Sequence, residues 1–465
     1  MGAHLRERFQ RQGPKRILAL DGGGARGLLT LGVLAQLERH LAERSGAGDR
    51  FRLAHYFDLI GGTSTGAIIA TTLALEWRVR EVVDLYFKLL PAIFEKPQVP
   101  GPLRVFIPAF KNKALTQALN EYLGDRPLRS EDLKTGLAIH AKRIDSGSSW
   151  VVVNNPDWCY FDTPGENDVA NADFYLRDLV QSSAAAPTYF ADVRIPLERD
   201  KRGRITTHAH FFDGGVSPNN NPALQLLLTA TEPAFGFNWK PGEDNLLLWS
   251  VGTGYVRKRF EKKNRKRRSS AKSTSDFRRM AYSSKVMAAL EGYNHDICQQ
   301  QITTLQMLSN PRFPWYVNSE VKMQTRTPML SREPVLTFQR YDARLEIDEE
   351  KYRRPEHVEN LLGHEMKAKE VEKLRRLDIK ETDLLDVLYR TGEALGAAQL
   401  IHRDTVDDAK PVTGPAIAPD WPPAKFDPPE WRRTPAADAP AALPQAAPQP
   451  VQPPPSEPPQ APPPA

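Results

Sequence analysis

Within its first 76 residues this sequence twice runs from an aliphatic segment through a glycine turn into an apolar helical pattern. That repetition limits the fold more than any other feature. In the first unit Arg16–Asp21 (RILALD) has the apolar run of a buried strand, and three glycines follow. Leu28, Leu31, Leu34, Leu37 and Leu41 then recur at helical spacing. In the second unit Tyr56–Ile60 (YFDLI) reads as a strand, GGTSTG as a turn and AIIATTLALE as a helix. Two such units in close succession predict an α/β fold, with a parallel sheet and helices on its faces. Further strands are expected at Leu137–Lys142, Trp150–Asn154, His210–Asp213 and Asn245–Val251, and helices at Lys113–Leu123, Tyr175–Ala186 and Asn221–Thr231. Beyond Asp276 the pattern gives one long helix, a strand at Val335–Leu345, and helices at His357–Arg375 and Glu381–Leu400.

Composition divides the chain. Of its 40 prolines, 20 fall in residues 411–465, where too little apolar surface remains to offset the entropy of ordering. That stretch reads as a disordered tail. Arg257–Arg268 (RKRFEKKNRKRR) carries a local charge of +8, more than the +6 of the whole chain, so the remainder is net acidic. A serine-rich run follows it, and residues 256–275 are expected to be a mobile basic loop. The resulting division is a basic arm over 1–15, an α/β core over 16–255, the loop, a mainly helical part over 276–410 packed on the core, and the tail. The chain has no 18-residue apolar run of the kind that a membrane-spanning helix needs. Its first residues lack the apolar segment of an ordinary signal peptide. The expectation is a cytoplasmic protein, with peripheral attachment to a membrane as the refinement. Two cysteines, Cys159 and Cys298, exclude a disulfide scaffold and a CxxC zinc site. No metal or cofactor is implied.

Three motifs carry chemistry. Gly62-Thr63-Ser64-Thr65-Gly66 is a GxSxG between a strand and a helix. A serine on so sharp a turn holds its hydroxyl clear of the sheet, and the glycines Gly62 and Gly66 let the backbone bend. The helix that follows turns its N-terminus toward developing negative charge. Asp21-Gly22-Gly23-Gly24-Ala25-Arg26-Gly27 is a second glycine turn. It fits either a nucleotide phosphate or an oxyanion hole. A dinucleotide site prefers an acidic residue about 20 positions on, whereas Asp58 stands 31 beyond Gly27, ahead of the serine turn. Arg26 can cap a carbonyl, bind a lipid phosphate or pack as a surface cation. In the third motif Asp213 ends an apolar strand before Gly214 and Gly215, where it can serve a serine as base or merely form an Asx turn.

Taken together, these motifs make the chain resemble the patatin-like phospholipases. The resemblance rests on DGGGARG, FDLIGGTSTG and FFDGGVSPNNNPAL, with LRDLVQSSAAAPTYF and LLLWSVGTG as further matching stretches, all in order between Arg16 and Gly254. It implies a three-layer α/β/α fold with a mainly parallel central sheet, and release of fatty acids from phospholipids or other glycerolipids. It also implies a Ser–Asp dyad of Ser64 as nucleophile and Asp213 as general base, with Gly22, Gly23 and Gly24 as the oxyanion region. A conventional triad would need a histidine after the acid; His295 is the first in that order, and His364 follows Gly363. His208 and His210 flank the Asp213 strand. The basic loop fits an anionic membrane surface, or a merely solvated loop, better than nucleic acid, since only Phe260 interleaves and no nucleic-acid fold accompanies it. Two alternatives stay open: a ligand-activated effector phospholipase of a bacterial defence system, and a non-catalytic nucleotide-binding module.

Overall fold

The computed structural model describes residues 3–95, 110, 113–162, 165, 168–255, 260–261, 272–273, 282–309, 311, 316–318, 323–324, 330–347, 356–400 and 422–433. The chain runs through α1 (Ala3–Gln10), β1 (Lys15–Leu20), α2 (Gly27–Ser45), the single turn α3 (Leu53–Tyr56), β2 (Leu59–Thr63), α4 (Thr65–Ala74), α5 (Val79–Ile93) and α6 (Lys113–Leu123). It continues with β3 (Gly136–Arg143), β4 (Ser149–Val153), α7 (Leu176–Ser183), β5 (Val193–Arg199), β6 (Ile205–Asp213), α8 (Ala223–Thr231) and β7 (Leu246–Val251). The later part adds the helix Tyr282–Met307, the strand Thr337–Tyr341, the short helices Val358–Leu362 and Ala368–Leu374, and the helix Thr382–Leu400.

Eight strands make one sheet, in the order Thr337–Tyr341, β7, β1, β2, β3, β6, β5, with β4 also paired to β3. The first five of these run parallel. β4 and β6 join β3 antiparallel, and β5 joins β6 antiparallel. All residues of β1, β2 and β7 are buried, as their continuous apolar runs require. Two consecutive glycines show how the layers stack. A Cβ on Gly61 would meet Leu226 of α8, whereas one on Gly62 would meet Gly66 and Ala67 of α4. Successive strand residues face opposite sides, so α8 and α4 cover opposite faces of a three-layer α/β/α sandwich. On the outer side of α2 the helix Thr382–Leu400 approaches closely enough that a Cβ on Gly32 or Gly392 would strike the other helix's backbone.

Several boundaries differ from the sequence reading. Tyr56 belongs to a helical turn and β2 begins at Leu59, because the intervening Asp58 is drawn into a buried bidentate pair with Arg16, at 2.9 and 3.0 Å. The helix expected over His357–Arg375 is two helices, broken where Gly363 takes φ 73°. The N-terminal arm includes α1, which buries Leu5 and Phe9. The Pro-rich stretch is not disordered throughout: Phe426 is fully buried and Asp427 pairs with Arg44 at 2.7 Å. An aromatic ring among the prolines supplied apolar surface that composition averaged away. Met1–Asp427 form one compact unit; in the second, Pro428–Ala465, the residues Pro429–Arg433 form a short 3-10 turn. Apart from 260–261 and 272–273, the expected basic loop over 256–275 lies outside the described residues.

Candidate active site

The site forms where two strands end against one. Thr63, the last residue of β2, pairs with His140 of β3, and Asp213, the last of β6, pairs with the next β3 residue, Ala141. β2 runs parallel to β3 and β6 antiparallel, so their C-terminal ends arrive at the same register from opposite directions. Ser64 follows immediately, and its Oγ donates a hydrogen bond to Asp213 Oδ2 at 2.6 Å.

Ser64 has φ 55° and ψ −123°, a left-handed conformation that few non-glycine residues adopt. The turn holds because its surroundings are tight. A Cβ on Gly62 would lie 2.1 Å from the Gly66 carbonyl oxygen, and one on Gly66 would lie 2.2 Å from that of Leu20. The Ser64 N–H donates to Ser183 Oγ at 2.8 Å, and Ser183 Oγ in turn donates to the His140 carbonyl at 2.6 Å. Asp213 is held equally firmly. Its Oδ1 accepts the Gly215 N–H at 2.7 Å, and its own N–H donates to the Ala185 carbonyl. Gly214 packs so close to β3 that a Cβ would lie 2.4 Å from the His140 carbonyl oxygen. Burial raises the Asp213 carboxyl to about 6, against the lowering effect of the Ser64 and Gly215 hydrogen bonds. A carboxylate so placed is ionised at neutral pH yet basic enough to take a proton.

The glycine loop after β1 lies beside this pair. A Cβ on Gly22 would meet Ser64 Cβ at 3.2 Å. The Gly22 N–H donates to the Asn220 carbonyl and the Ala25 N–H to that of Leu377. Between them Gly23 and Gly24 keep N–H groups outside the described hydrogen bonds, and Gly24 takes φ 57°. Arg26 caps carbonyls, donating to Gly254 at 3.1 Å and to Gly23 at 3.5 Å.

The serine, the aspartate and the glycine loop open onto one cavity of about 1570 Å³. Part of its wall is apolar, with Ile68, Leu85, Leu89, Leu90, Phe94 and Leu119 contributed by α4, the α5 segment and α6. Ser64, Asp213, Gly22, Gly23, Gly24, Arg26 and Gly215 all line it. Gly62, Gly66 and Gly214 stand behind them as packing positions.

The histidines take other places. His140 is fully buried, bonded through Nδ1 to the Gly62 carbonyl, and burial lowers its ring to about 4. His295 lines the cavity and packs at a tilt against Tyr255, with ring centroids 4.7 Å apart. His210 bonds to Asp192, His208 is exposed, His364 bonds to the Leu362 carbonyl, and none of the three lines the cavity. Cys298 lines it too, but burial pushes its thiol up to about 12. Asp58 is fully buried under Arg16, so it offers no carboxylate to a ribose. Among the described residues no cluster of three or more His, Cys, Asp or Glu is placed to hold a metal ion.

Sequence reasoning missed the groups that hold the site from a distance. Ser183 sits in a quoted stretch without having been singled out. Arg340 lies on the late strand and Asp342 just past its end, and their signal was the R-x-D that interrupts an apolar run, VLTFQRYDARL.

The part of the chain that carries this pair is similar to known proteins. Residues 18–227 match the family model described as patatin-like phospholipase. A cGAMP-activated phospholipase of Vibrio cholerae is 32% identical over 247 residues, covering 51% of this chain and 64% of the relative. Patatin-like protein 3 of Arabidopsis thaliana is 31% identical over 280 residues, covering 54% and 61%. The chain therefore spans less than two thirds of the length of either relative. The crystal structure of VipD from Legionella pneumophila overlaps 53% of this chain and 51% of its own at 15% identity, with a TM-score of 0.26. Over residues 18–227 the chain is thus similar to the patatin-like phospholipases.

Proposed function

We propose that this protein is a serine esterase that hydrolyses fatty acyl esters of glycerolipids, as a phospholipase A or lysophospholipase. The single observation that carries the reading is the 2.6 Å hydrogen bond from Ser64 Oγ to Asp213 Oδ2, on the wall of a large, partly apolar cavity. At about 1570 Å³ this cavity exceeds the ~300–1,000 Å³ of ordinary small-ligand pockets and suits a chain-bearing substrate.

In this mechanism Ser64 Oγ attacks the ester carbonyl carbon while its proton passes to Asp213. The carbonyl oxygen takes the negative charge between the N–H groups of Gly23 and Gly24; Gly22, whose N–H is engaged by Asn220, shapes the loop instead. Collapse breaks the ester C–O bond, and Asp213 returns its proton to the departing alcohol oxygen. Water then attacks the acyl-enzyme, giving its proton to Asp213, and the second collapse releases the fatty acid and restores the Ser64 hydroxyl. Arg26 supports the loop through the Gly23 carbonyl.

Among the described residues no helix is long and apolar enough to cross a membrane. The protein would reach lipid from the surface, with Arg257–Arg268 attracting anionic headgroups at roughly 1 kcal/mol per basic residue. The test is fatty acid release from mixed phospholipid vesicles by the purified chain and by its Ser64→Ala variant. Release by the first and none by the second is expected; equal release would refute the reading.

A second reading makes the same hydrolase ligand-activated, and it is favoured by the similarity to a protein named for activation by cGAMP. Adding cGAMP to the vesicle assay separates the two: strong stimulation supports activation, and an unchanged rate supports constitutive hydrolysis.

A further inference from the structure

Strand β1 carries a buried arginine–carboxylate pair at each end. At its start Arg16 pairs with Asp58, and just past its end Asp21 pairs with Arg340. Arg340 is 1% exposed and belongs to the strand Thr337–Tyr341, which lies outside the family-matched residues 18–227. Its guanidinium donates to both oxygens of Asp21, at 2.9 and 2.6 Å, to Asp342 at 2.7 Å and to Ser250 Oγ at 2.6 Å. Asp342 in turn accepts the Gly254 N–H at 2.8 Å, and the Gly254 carbonyl accepts from Arg26. Thr253, next in the chain, donates through Oγ to the Gly22 carbonyl at 3.0 Å.

These bonds enclose the glycine loop. Arg340 fixes Asp21, Thr253 and Asn220 fix Gly22, Arg26 fixes the Gly23 carbonyl, and Leu377 takes the Ala25 N–H. The loop has little freedom of its own to settle this way. A Cβ on Gly23 would lie 2.2 Å from Thr253 Oγ, so the neighbouring segment sits in van der Waals contact with it. An oxyanion site depends on donors fixed before the charge appears. A planar fork bridging two carboxylates is well suited to fixing them.

We infer that Arg340 is a positioning residue for the reaction: through Asp21 and Asp342 it sets the glycine loop so that the Gly23 and Gly24 N–H groups meet the developing oxyanion. This rests on the Ser64 esterase reading above. The part of the chain beyond the family-matched domain thereby completes the catalytic site.

The Arg16–Asp58 pair supplies the control, because it is equally buried but sits at the opposite end of β1. Arg340→Lys and Arg16→Lys are compared in the full chain, with a short soluble ester and with the rate of fluorophosphonate labelling at Ser64. Lysine keeps the charge but cannot span both carboxylates. Arg340→Lys is expected to lower kcat and the labelling rate by about 10²–10³-fold with KM little changed, as loss of an oxyanion donor does. Arg16→Lys is expected to lower the melting temperature without that kcat loss. Ser250→Ala, which removes one Arg340 anchor and leaves the charges paired, covers the case in which Arg340→Lys fails to fold; its kcat is expected to fall roughly threefold to tenfold. Equal kcat at matched folded fraction for the Arg340, Ser250 and Arg16 variants would overturn the positioning role alone. Wild-type turnover that survives Ser64→Ala would overturn the esterase reading and this inference with it.

Discussion

Ser64 and Asp213 are 149 positions apart in the chain and 2.6 Å apart at their oxygens. The distance follows from β3, whose consecutive residues His140 and Ala141 receive the ends of the two strands that carry them. Neither side chain needs a flexible loop to reach the other. The pair is built into the sheet, and its chemistry can be tested one residue at a time.

Ser64→Gly should abolish ester turnover and raise the melting temperature. The serine occupies φ 55°, a strain of about 1–3 kcal/mol for a non-glycine residue. Glycine relieves it at an entropic cost of about 0.5–1 kcal/mol. Calorimetry on wild type and variant checks the sign; a lower melting temperature would mean that the turn is unstrained.

Asp213 sets the pH dependence. Its carboxyl is raised to about 6, and only the ionised form accepts the Ser64 proton. kcat/KM should therefore fall as pH drops through about 6 and level off above it. For stability the sign is opposite. A raised carboxyl favours the folded state below its ordinary value of 3.8, and that contribution is lost as pH rises through about 6. Asp213→Asn should cut kcat by several orders of magnitude, and its melting temperature relative to wild type should improve from pH 4 to pH 7.5.

No histidine should match that loss. His140 is buried with its ring lowered to about 4, so it stays neutral at working pH and supports the Gly62 carbonyl. His295→Ala should change kcat by less than tenfold. A histidine variant that stays folded and loses as much activity as Asp213→Asn would replace the dyad with a triad.

Gly62→Ala and Gly66→Ala should yield little folded protein. Each new methyl would lie within 2.2 Å of a backbone oxygen, and backbone cannot yield as the tip of a flexible side chain can. Soluble expression and circular dichroism measure this, and well-folded active variants would contradict the close packing.

Much of the site was legible in the sequence because its chemistry is local. GxSxG needs glycines at fixed offsets from Ser64, whereas Asp213, the polar end of an apolar strand before two glycines, fits an Asx turn as well as a base until the other motifs stand beside it. The α6 boundaries, Lys113–Leu123, coincide with the expected ones because a clean helical period sets them. What resisted reading is non-local. The partnership of Asp21 with Arg340 spans 319 positions, and nothing in either neighbourhood names the other. The start of β2 slipped by three residues for a similar reason, since the Asp58 pairing with Arg16 is tertiary. Phe426 was hidden by the prolines around it, although one ring buried in the body outweighs their average.

The central claim is that Ser64, activated by Asp213, becomes covalently acylated. Intact-mass analysis after a fluorophosphonate or a slow p-nitrophenyl ester, followed by peptide mapping, tests it most directly. The account predicts a single adduct on the peptide that contains Ser64, much slower to form in Asp213→Asn and absent from Ser64→Ala. An adduct on any other residue, or equal labelling of the Ser64→Ala variant, would contradict it.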